Sequence, residues 1–172
     1  MSDHEFAPVE PRTVQDDARE QQMAALLNLN RASTRTGSDA RDEHGNRYEL
    51  KTTTTASVTT ARDVGPDYLD RIRMSYLIAA RGRNTDFGFT IDEMYFLSPE
   101  MLAEWISTVE ARLSGDRTLV DSAIGSLVAA SFEGDLDRLR YLGYRGMTIN
   151  NPKIPWSYVT SHGIRIEGQP AL

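Results

Sequence analysis

The sequence contains no cysteine, which excludes disulfide bonds and thiolate metal sites. No run of about 18 apolar residues, the length that a membrane-spanning helix requires, is present. The N-terminal segment is polar and acidic, unlike a signal peptide. The 172 residues, 40% hydrophobic and 26% charged, suffice for one globular domain with a single core. We therefore expect a cytoplasmic protein that has no membrane contact.

Lysine is almost absent as well. Only Lys51 and Lys153 occur, and all the other basic residues are arginine. Because lysine offers a compact, rotatable ammonium and arginine a planar fork, these two lysines are candidates for positions that a guanidinium cannot serve. The net charge of −6 argues against a protein that coats nucleic acid through bulk charge. It does not exclude a DNA enzyme whose positive charge is concentrated in one cleft.

Apolar periodicity, turn residues and helix caps predict an α/β or α+β fold, with a central mixed β-sheet flanked by helices. The predicted elements are helices over 14–30, 67–74, 98–113, 119–130 and within 134–144, and strands at 37–41, 47–55, 76–81, 87–97 and the C-terminus. The mostly apolar strand at 87–97 is expected to be central. Residues 1–13 are predicted to be a flexible arm and residues 14–172 a single domain.

A lone aspartate precedes a predicted strand in which charged residues alternate. Side chains two residues apart in a strand point to the same face, so Glu49 and Lys51 project together. A hairpin turn around Gly45 would fold the preceding segment back and bring Asp39 beside Glu49. The segment therefore predicts two carboxylates and one ammonium at the same place.

These groups suit the hydrolysis of a phosphodiester bond. Asp39, Glu49 and the backbone carbonyl of Leu50 are candidate oxygen ligands for Mg²⁺. Such a metal polarises the phosphate and lowers the pKa of a bound water. Lys51 would orient or help to deprotonate that water and offset charge on the phosphate. On these residues alone, a solvated surface hairpin with a Glu–Lys pair is the favoured interpretation, because carboxylates at this spacing from Glu-x-Lys are common.

A second segment, INNPKIPWSYVTSHGIRI at residues 149–166, favours the enzyme. Together with GSDARDEHGNRYELK at residues 37–51, it closely resembles the type II restriction endonucleases of the PvuII family, in the PD-(D/E)XK nuclease superfamily. The resemblance covers about residues 16–166 and implies a restriction-endonuclease-like core. It also implies Mg²⁺-dependent cleavage of double-stranded DNA at a short palindrome, leaving 5′-phosphates. A homodimer and a cognate DNA methyltransferase partner are further implications.

The resemblance places Asp39, Glu49 and Lys51 at the catalytic positions of that family. Asn150 and Asn151 fall on asparagines that read bases in the major groove, as the bidentate pairing of an amide with adenine allows. Lys153 on the same loop would reach a phosphate. Without the resemblance, the asparagines would be interpreted as turn residues before a proline.

The chain departs from the family in three places. Thr36 stands where the family has a glutamate, so an auxiliary carboxylate is lost. Arg62 and Asp63 stand where the family has base-reading histidines, and could read a G·C pair. Residues 107–145 are longer than their counterpart and are predicted to be a helical insertion.

Other functions remain open at this point. One is a nicking enzyme, a heterodimeric nuclease subunit or a repair nuclease of the same fold. Another is a catalytically inactive, sequence-specific DNA-binding protein. The intact Asp39, Glu49 and Lys51 argue against the latter, because no binding role needs all three. A structural or interaction domain is the least favoured interpretation.

Overall fold

The computed structural model describes residues 12–32 and 38–167. Thr36 and all but the last two residues of the predicted arm (1–13) lie outside these ranges. The helices are α1 (Arg12–Leu26), α2 (Pro66–Ile72), α3 (Ala103–Ala129), α4 (Leu136–Gly146) and α5 (Trp156–His162). The strands are β1 (Asn30–Arg31), β2 (Ala40–Arg41), β3 (Arg47–Thr53), β4 (Ser57–Thr59), β5 (Asp63–Val64), β6 (Tyr76–Thr85), β7 (Gly88–Leu97), β8 (Ile149–Asn150), β9 (Lys153–Pro155) and β10 (Ile164–Arg165).

A six-stranded mixed sheet of order β1-β2-β3-β6-β7-β10 forms the centre of the fold, and the predicted α+β class is confirmed. Strands β3 and β6 are parallel, and the other neighbouring pairs are antiparallel. The prediction that the strand at 87–97 is central was wrong, because β7 is fifth in the order. The strand buried on both faces is β6, where residues 77–80 are all buried. The first half of β7 instead pairs with the exposed end of β6 as a two-stranded ribbon.

Helices cover both faces of the sheet. On one face, Met23 of α1 packs with Leu50, Ile78 and Met94. On the other, α2, α3 and α5 contribute to a larger cluster that contains Leu77 and Ala79. The alternation of residues 77 to 80 between the two clusters follows from the two-residue period of a strand. Strand β3 therefore lies between α1 and the helices of the opposite face, which positions its charged residues.

The predicted helices at 98–113 and 119–130 are one continuous helix, α3, of 27 residues. The sequence Ser114-Gly115-Asp116 resembles a helix stop, but a glycine costs a helix interior only about 1 kcal/mol relative to alanine. Ser98 does not cap α3 directly. Its hydroxyl accepts a hydrogen bond from the Met101 N–H (3.4 Å) in the turn before the helix. Most of the predicted insertion at 107–145 is the rest of α3 and α4; its status as an insertion stays a prediction.

Two further boundaries differ from the prediction. Helix α1 ends at Leu26 because Asn28 has a positive φ of 53°, which turns the chain into β1. Helix α5 was not predicted, because proline and asparagine before it suggested an irregular tail. In fact Pro155 occupies the N-cap position, where its missing N–H costs nothing. None of the helices within the described ranges is long and apolar enough to cross a membrane.

Candidate active site

The hairpin of β2 and β3 brings Asp39 next to β3, the strand that carries Glu49 and Lys51, as the sequence predicts. The register pairs Ala40 with Tyr48, which sets Asp39 next to the following part of β3. Asp42 fixes the turn by accepting hydrogen bonds from the N–H groups of two turn residues, and Gly45 adopts a φ of 83°. The Leu50 N–H donates a hydrogen bond of 2.8 Å to Asp39 Oδ2. The Asp39 side chain is thus hydrogen-bonded directly to the backbone of β3.

Lys51 completes the predicted group of charges. Its Nζ lies 2.7 Å from Asp39 Oδ2, to which it donates a hydrogen bond, and 3.8 Å from Glu49 Oε2. Burial disfavours the charged form of this lysine, but the neighbouring Asp39 and Glu49 carboxylates outweigh burial and raise its pKa above the ordinary value. The ammonium is therefore charged at neutral pH. The structure brings Asp39, Glu49 and Lys51 together.

Glu49 is the most deeply buried carboxylate of the group, with only 2% of the residue exposed. Burial, followed by the charge of Asp39, raises its pKa to about 7, although Lys51 and Arg71 act in the opposite direction. Its Oε1 is buried and has no hydrogen-bond partner. Glu49 therefore holds an oxygen that an additional cationic partner would stabilise.

Glu20 of α1 is a site residue that sequence analysis missed. Its Oε1 lies 3.8 Å from Lys51 Nζ, and its Oε2 lies 3.5 Å from Arg31 Nη2. Burial, with a further contribution from Asp39, raises its pKa to about 7. A signal was present in the sequence: Glu20 shares the helix face of Met23 and Ala24, three and four residues later, both of which are buried. An acid on the buried face of a helix is a candidate site residue.

The two predicted carboxylates suit a magnesium ion. Within residues 12–32 and 38–167, no three His, Asp or Glu side chains lie close enough to form a metal site by themselves. Mg²⁺, however, keeps several waters and is commonly held by one or two carboxylates. Glu49 Oε1, which has no hydrogen-bond partner, fits such a ligand. The Leu50 N–H faces Asp39, and the N–H and C=O of one strand residue point to the same side, so the Leu50 carbonyl faces this edge too.

The segments predicted to read bases meet in space. Strands β5 and β8 pair so that Asp63 lies opposite Asn150, and the Asn151 N–H donates a 2.7 Å hydrogen bond to the Arg62 carbonyl. Arg62, Asp63 and Asn150 are exposed. Asn151 has a φ of 50°, and its side-chain Oδ1 is buried without a hydrogen-bond partner. The two segments are 87 or more positions apart in the sequence, and their four residues form one small surface.

A second pair of strands connects this surface to the cluster of Asp39, Glu49 and Lys51. Strand β9 pairs with β4, with exposed Lys153 opposite Thr59. The Thr60 hydroxyl donates a 2.6 Å hydrogen bond to the Pro152 carbonyl. Both threonines also line a pocket of about 150 Å³; its other lining residues are Glu20, Leu50, Lys51 and Thr52. The pocket therefore joins the charged group of β3 to the segment that carries residues 150–153.

A family model described as Restriction endonuclease PvuII matches residues 12–124 of the chain. The match runs from α1 into α3 and includes Asp39, Glu49 and Lys51 as well as Arg62 and Asp63. Strands β8 and β9, with their asparagines, lie beyond it. No curated protein is similar enough to the chain to count as a match.

Proposed function

Because the chain belongs to the PvuII restriction endonuclease family, it is a nuclease, and we propose that it is a type II enzyme that cuts both strands of DNA at a short palindrome. The mixed α+β fold is that of a restriction endonuclease. The observation that carries the proposal is the charged cluster in which Lys51 Nζ lies 2.7 Å from Asp39 Oδ2 and 3.8 Å from the buried Glu49.

Asp39 and Glu49, with the Leu50 carbonyl, would hold Mg²⁺. When bound, Mg²⁺ supplies Lewis acidity to the scissile phosphate and lowers the pKa of a bound water. The water oxygen would attack phosphorus as the bond to the 3′ oxygen breaks, and one water proton would end on that oxygen, which leaves a 5′-phosphate and a 3′-hydroxyl. The two carboxylates fix the position at which this chemistry occurs, because Asp39 is bonded to the backbone and Glu49 is buried.

Lys51 contributes positive charge to the same reaction. Its raised pKa favours the ammonium, which donates hydrogen bonds and has no lone pair to accept a proton. The role supported by the structure is thus orientation of the water and stabilisation of charge that develops on the phosphate. Glu20 restrains the ammonium from α1, at 3.8 Å. Removal of the water's proton by Lys51 is the less favoured of its two predicted roles.

The surface formed by β5 and β8 would read the DNA sequence. Asn150 and Asn151 suit an A·T pair, since a side-chain amide can hydrogen-bond adenine N6 and N7 at once; Asn151 Oδ1, buried in the free protein, would turn outward to do so. Arg62 and Asp63 suit a G·C pair. Lys153, exposed on β9, would bind a phosphate and set the register. The proximity of the two segments, through the Asp63–Asn150 pairing, supports a shared reading surface.

A homodimer would place one active site on each DNA strand. The hairpin of α3 and α4 supports a contact with a second copy, because α4 has no buried residue. Six exposed large apolar side chains lie on this hairpin: Leu119, Val128, Phe132, Leu139, Tyr141 and Leu142. The first turn of α4 is acidic at Asp137 and the last is basic at Arg145. Both charges are already paired within the chain, Asp137 with Arg140 and Arg145 with Asp67 and Asp70, so the exposed apolar side chains would carry the contact.

One experiment tests the proposed function. The purified protein is incubated with a plasmid library and Mg²⁺, and the DNA ends are sequenced. We expect double-strand breaks at one palindrome, with 5′-phosphates and no cutting in EDTA. A host genome carrying this activity would need a methyltransferase that modifies the same site. Nicks in one strand would identify a nicking enzyme instead, and binding without cleavage would identify an inactive DNA-binding protein.

A further inference from the structure

Arg71 of α2 places a second cation against the catalytic carboxylates. Its Nε lies 3.5 Å from Glu49 Oε1, whereas Lys51 Nζ lies 3.8 Å from the other oxygen, Oε2. Each oxygen of Glu49 therefore faces a different cation. Arg71 was not among the site residues that the sequence predicts, because its position depends on the packing of α2 against the sheet.

The contact between Arg71 and Glu49 is an ion pair without a hydrogen bond. Glu49 Oε1 and Arg71 Nε are both buried, and neither has a hydrogen-bond partner. A buried polar atom without a hydrogen-bond partner destabilises the protein, so a closer partner for either atom would be stabilising. For the carboxylate oxygen that partner is a metal cation, and for the guanidinium it is an anionic oxygen.

The guanidinium is placed to take such a partner. It lies 4.9 Å above the ring of Tyr68, which supports its planar face. The Arg71 side chain keeps 36% of its surface exposed although its Nε is buried. An arginine that is supported in this way and partly open to solvent suits a phosphate oxygen, which it binds with two parallel N–H groups.

We propose that Arg71 is the internal counter-ion of Glu49, which competes with the divalent cation and is released to a DNA phosphate when that cation binds. Two cations close to one carboxylate oxygen repel each other, so Arg71 weakens metal binding while it stays in place. By linkage, a DNA phosphate that draws Arg71 away from Glu49 strengthens metal binding. This inference rests on the proposed function only in taking Asp39 and Glu49 as the metal ligands.

The test measures Mg²⁺ binding without DNA, by isothermal titration calorimetry of the full chain. Arg71→Gln removes the charge and keeps a hydrogen-bond donor, and we expect it to bind Mg²⁺ about tenfold more tightly than the wild type. Arg71→Met tests the same loss of charge should the glutamine variant not fold. Arg71→Lys keeps the charge and should bind within about twofold of the wild type. Arg73→Gln, at the C-cap of α2, is the matched control, because Arg73 pairs with Asp70 and Glu110 at the surface.

Cleavage kinetics provide a second readout. In Arg71→Gln the half-saturating Mg²⁺ concentration should fall, and the maximal rate should fall as well because the phosphate loses a partner. A substitution that only disturbed helix packing would not lower the half-saturating Mg²⁺ concentration together with the maximal rate. Mg²⁺ binding by Arg71→Gln or Arg71→Met that is equal to or weaker than wild type would overturn the inference. A wild-type protein that neither binds Mg²⁺ nor needs it for cleavage would overturn the metal role in the proposed function, and this inference with it.

Discussion

Asp39 and Lys51 are joined through one carboxylate oxygen, since Asp39 Oδ2 accepts hydrogen bonds both from Lys51 Nζ (2.7 Å) and from the Leu50 N–H (2.8 Å). A single oxygen thus binds the aspartate to the backbone and to the ammonium of the neighbouring strand. These two hydrogen bonds fix the Asp39 side chain before DNA binds. The other oxygen, Oδ1, is the one that the proposed metal would use.

Removing the charged end of either residue should abolish cleavage. We expect Lys51→Ala and Asp39→Ala to reduce the rate by ~1000-fold or more, because charge on the phosphate loses its stabilising partners. Lys51→Arg should be nearly inactive too, since a planar guanidinium cannot replace the compact ammonium. Plasmid digestion gives the rate, and gel-shift binding, which should persist, shows that the fold is intact. A rate of Lys51→Ala within about tenfold of wild type would refute this active site.

Base reading should depend on the asparagine amides and not on their backbone. Asn151 has a left-handed backbone, so Asn151→Gly removes the amide without the strain that alanine would add. We expect this variant to lose ~1–3 kcal/mol of discrimination at an A·T pair. Competition binding with single-base variants of the mapped site measures that loss.

Lys153→Ala is the companion variant, and it should weaken binding to all sequences alike and reduce the salt dependence. Equal losses on every sequence for Asn151→Gly would make Asn151 a turn residue. A recognition site with no A·T requirement would remove the assignment of both asparagines.

Glu20 should make the stability of the metal-free protein depend on pH. Its pKa is 4.5 as a free side chain and about 7 in the folded protein, mainly because it is buried. The folded state therefore binds more protons than the unfolded state between these values, and its stability falls as pH rises from about 4.5 to 7. Glu20→Gln should reduce that fall. Thermal unfolding in EDTA across this range measures it, with Glu110→Gln, at a surface ion pair, as the control.

The oligomeric state can be tested on α4. If the hairpin of α3 and α4 is the dimer contact, Leu142→Glu should produce a monomer, because a charge would be buried at the centre of the contact. Light scattering measures the mass of each variant. Phe87→Glu is the matched control, since Phe87 is equally apolar and fully exposed, but lies in the turn between β6 and β7. A wild type that stays monomeric on its cognate DNA would favour a nicking or repair enzyme.

The local part of the site was predictable from the sequence. Alternation along β3 and a turn around Gly45 suffice to bring Asp39 next to Glu49 and Lys51, because only a dozen residues are involved. The sequence marks Glu20 as an acid on the buried face of α1, but its contact with Lys51 was not predictable, and neither was that of Arg71 with Glu49. Both contacts depend on how a helix packs against the sheet. The continuous helix α3 was missed for another reason: Gly115 is compatible with a helix whose other residues favour it.

The pairing of β5 with β8 has a consequence for how this protein can change. The two segments proposed to read bases are held together by backbone hydrogen bonds, such as that from the Asn151 N–H to the Arg62 carbonyl, while Arg62, Asp63 and Asn150 are exposed to solvent. Backbone bonds do not depend on side-chain identity. If these three residues read bases as proposed, substituting them would change the DNA sequence that is cut and leave the backbone pairing of the two segments intact. The side chains that would set DNA specificity are therefore distinct from the backbone groups that hold β5 and β8 together.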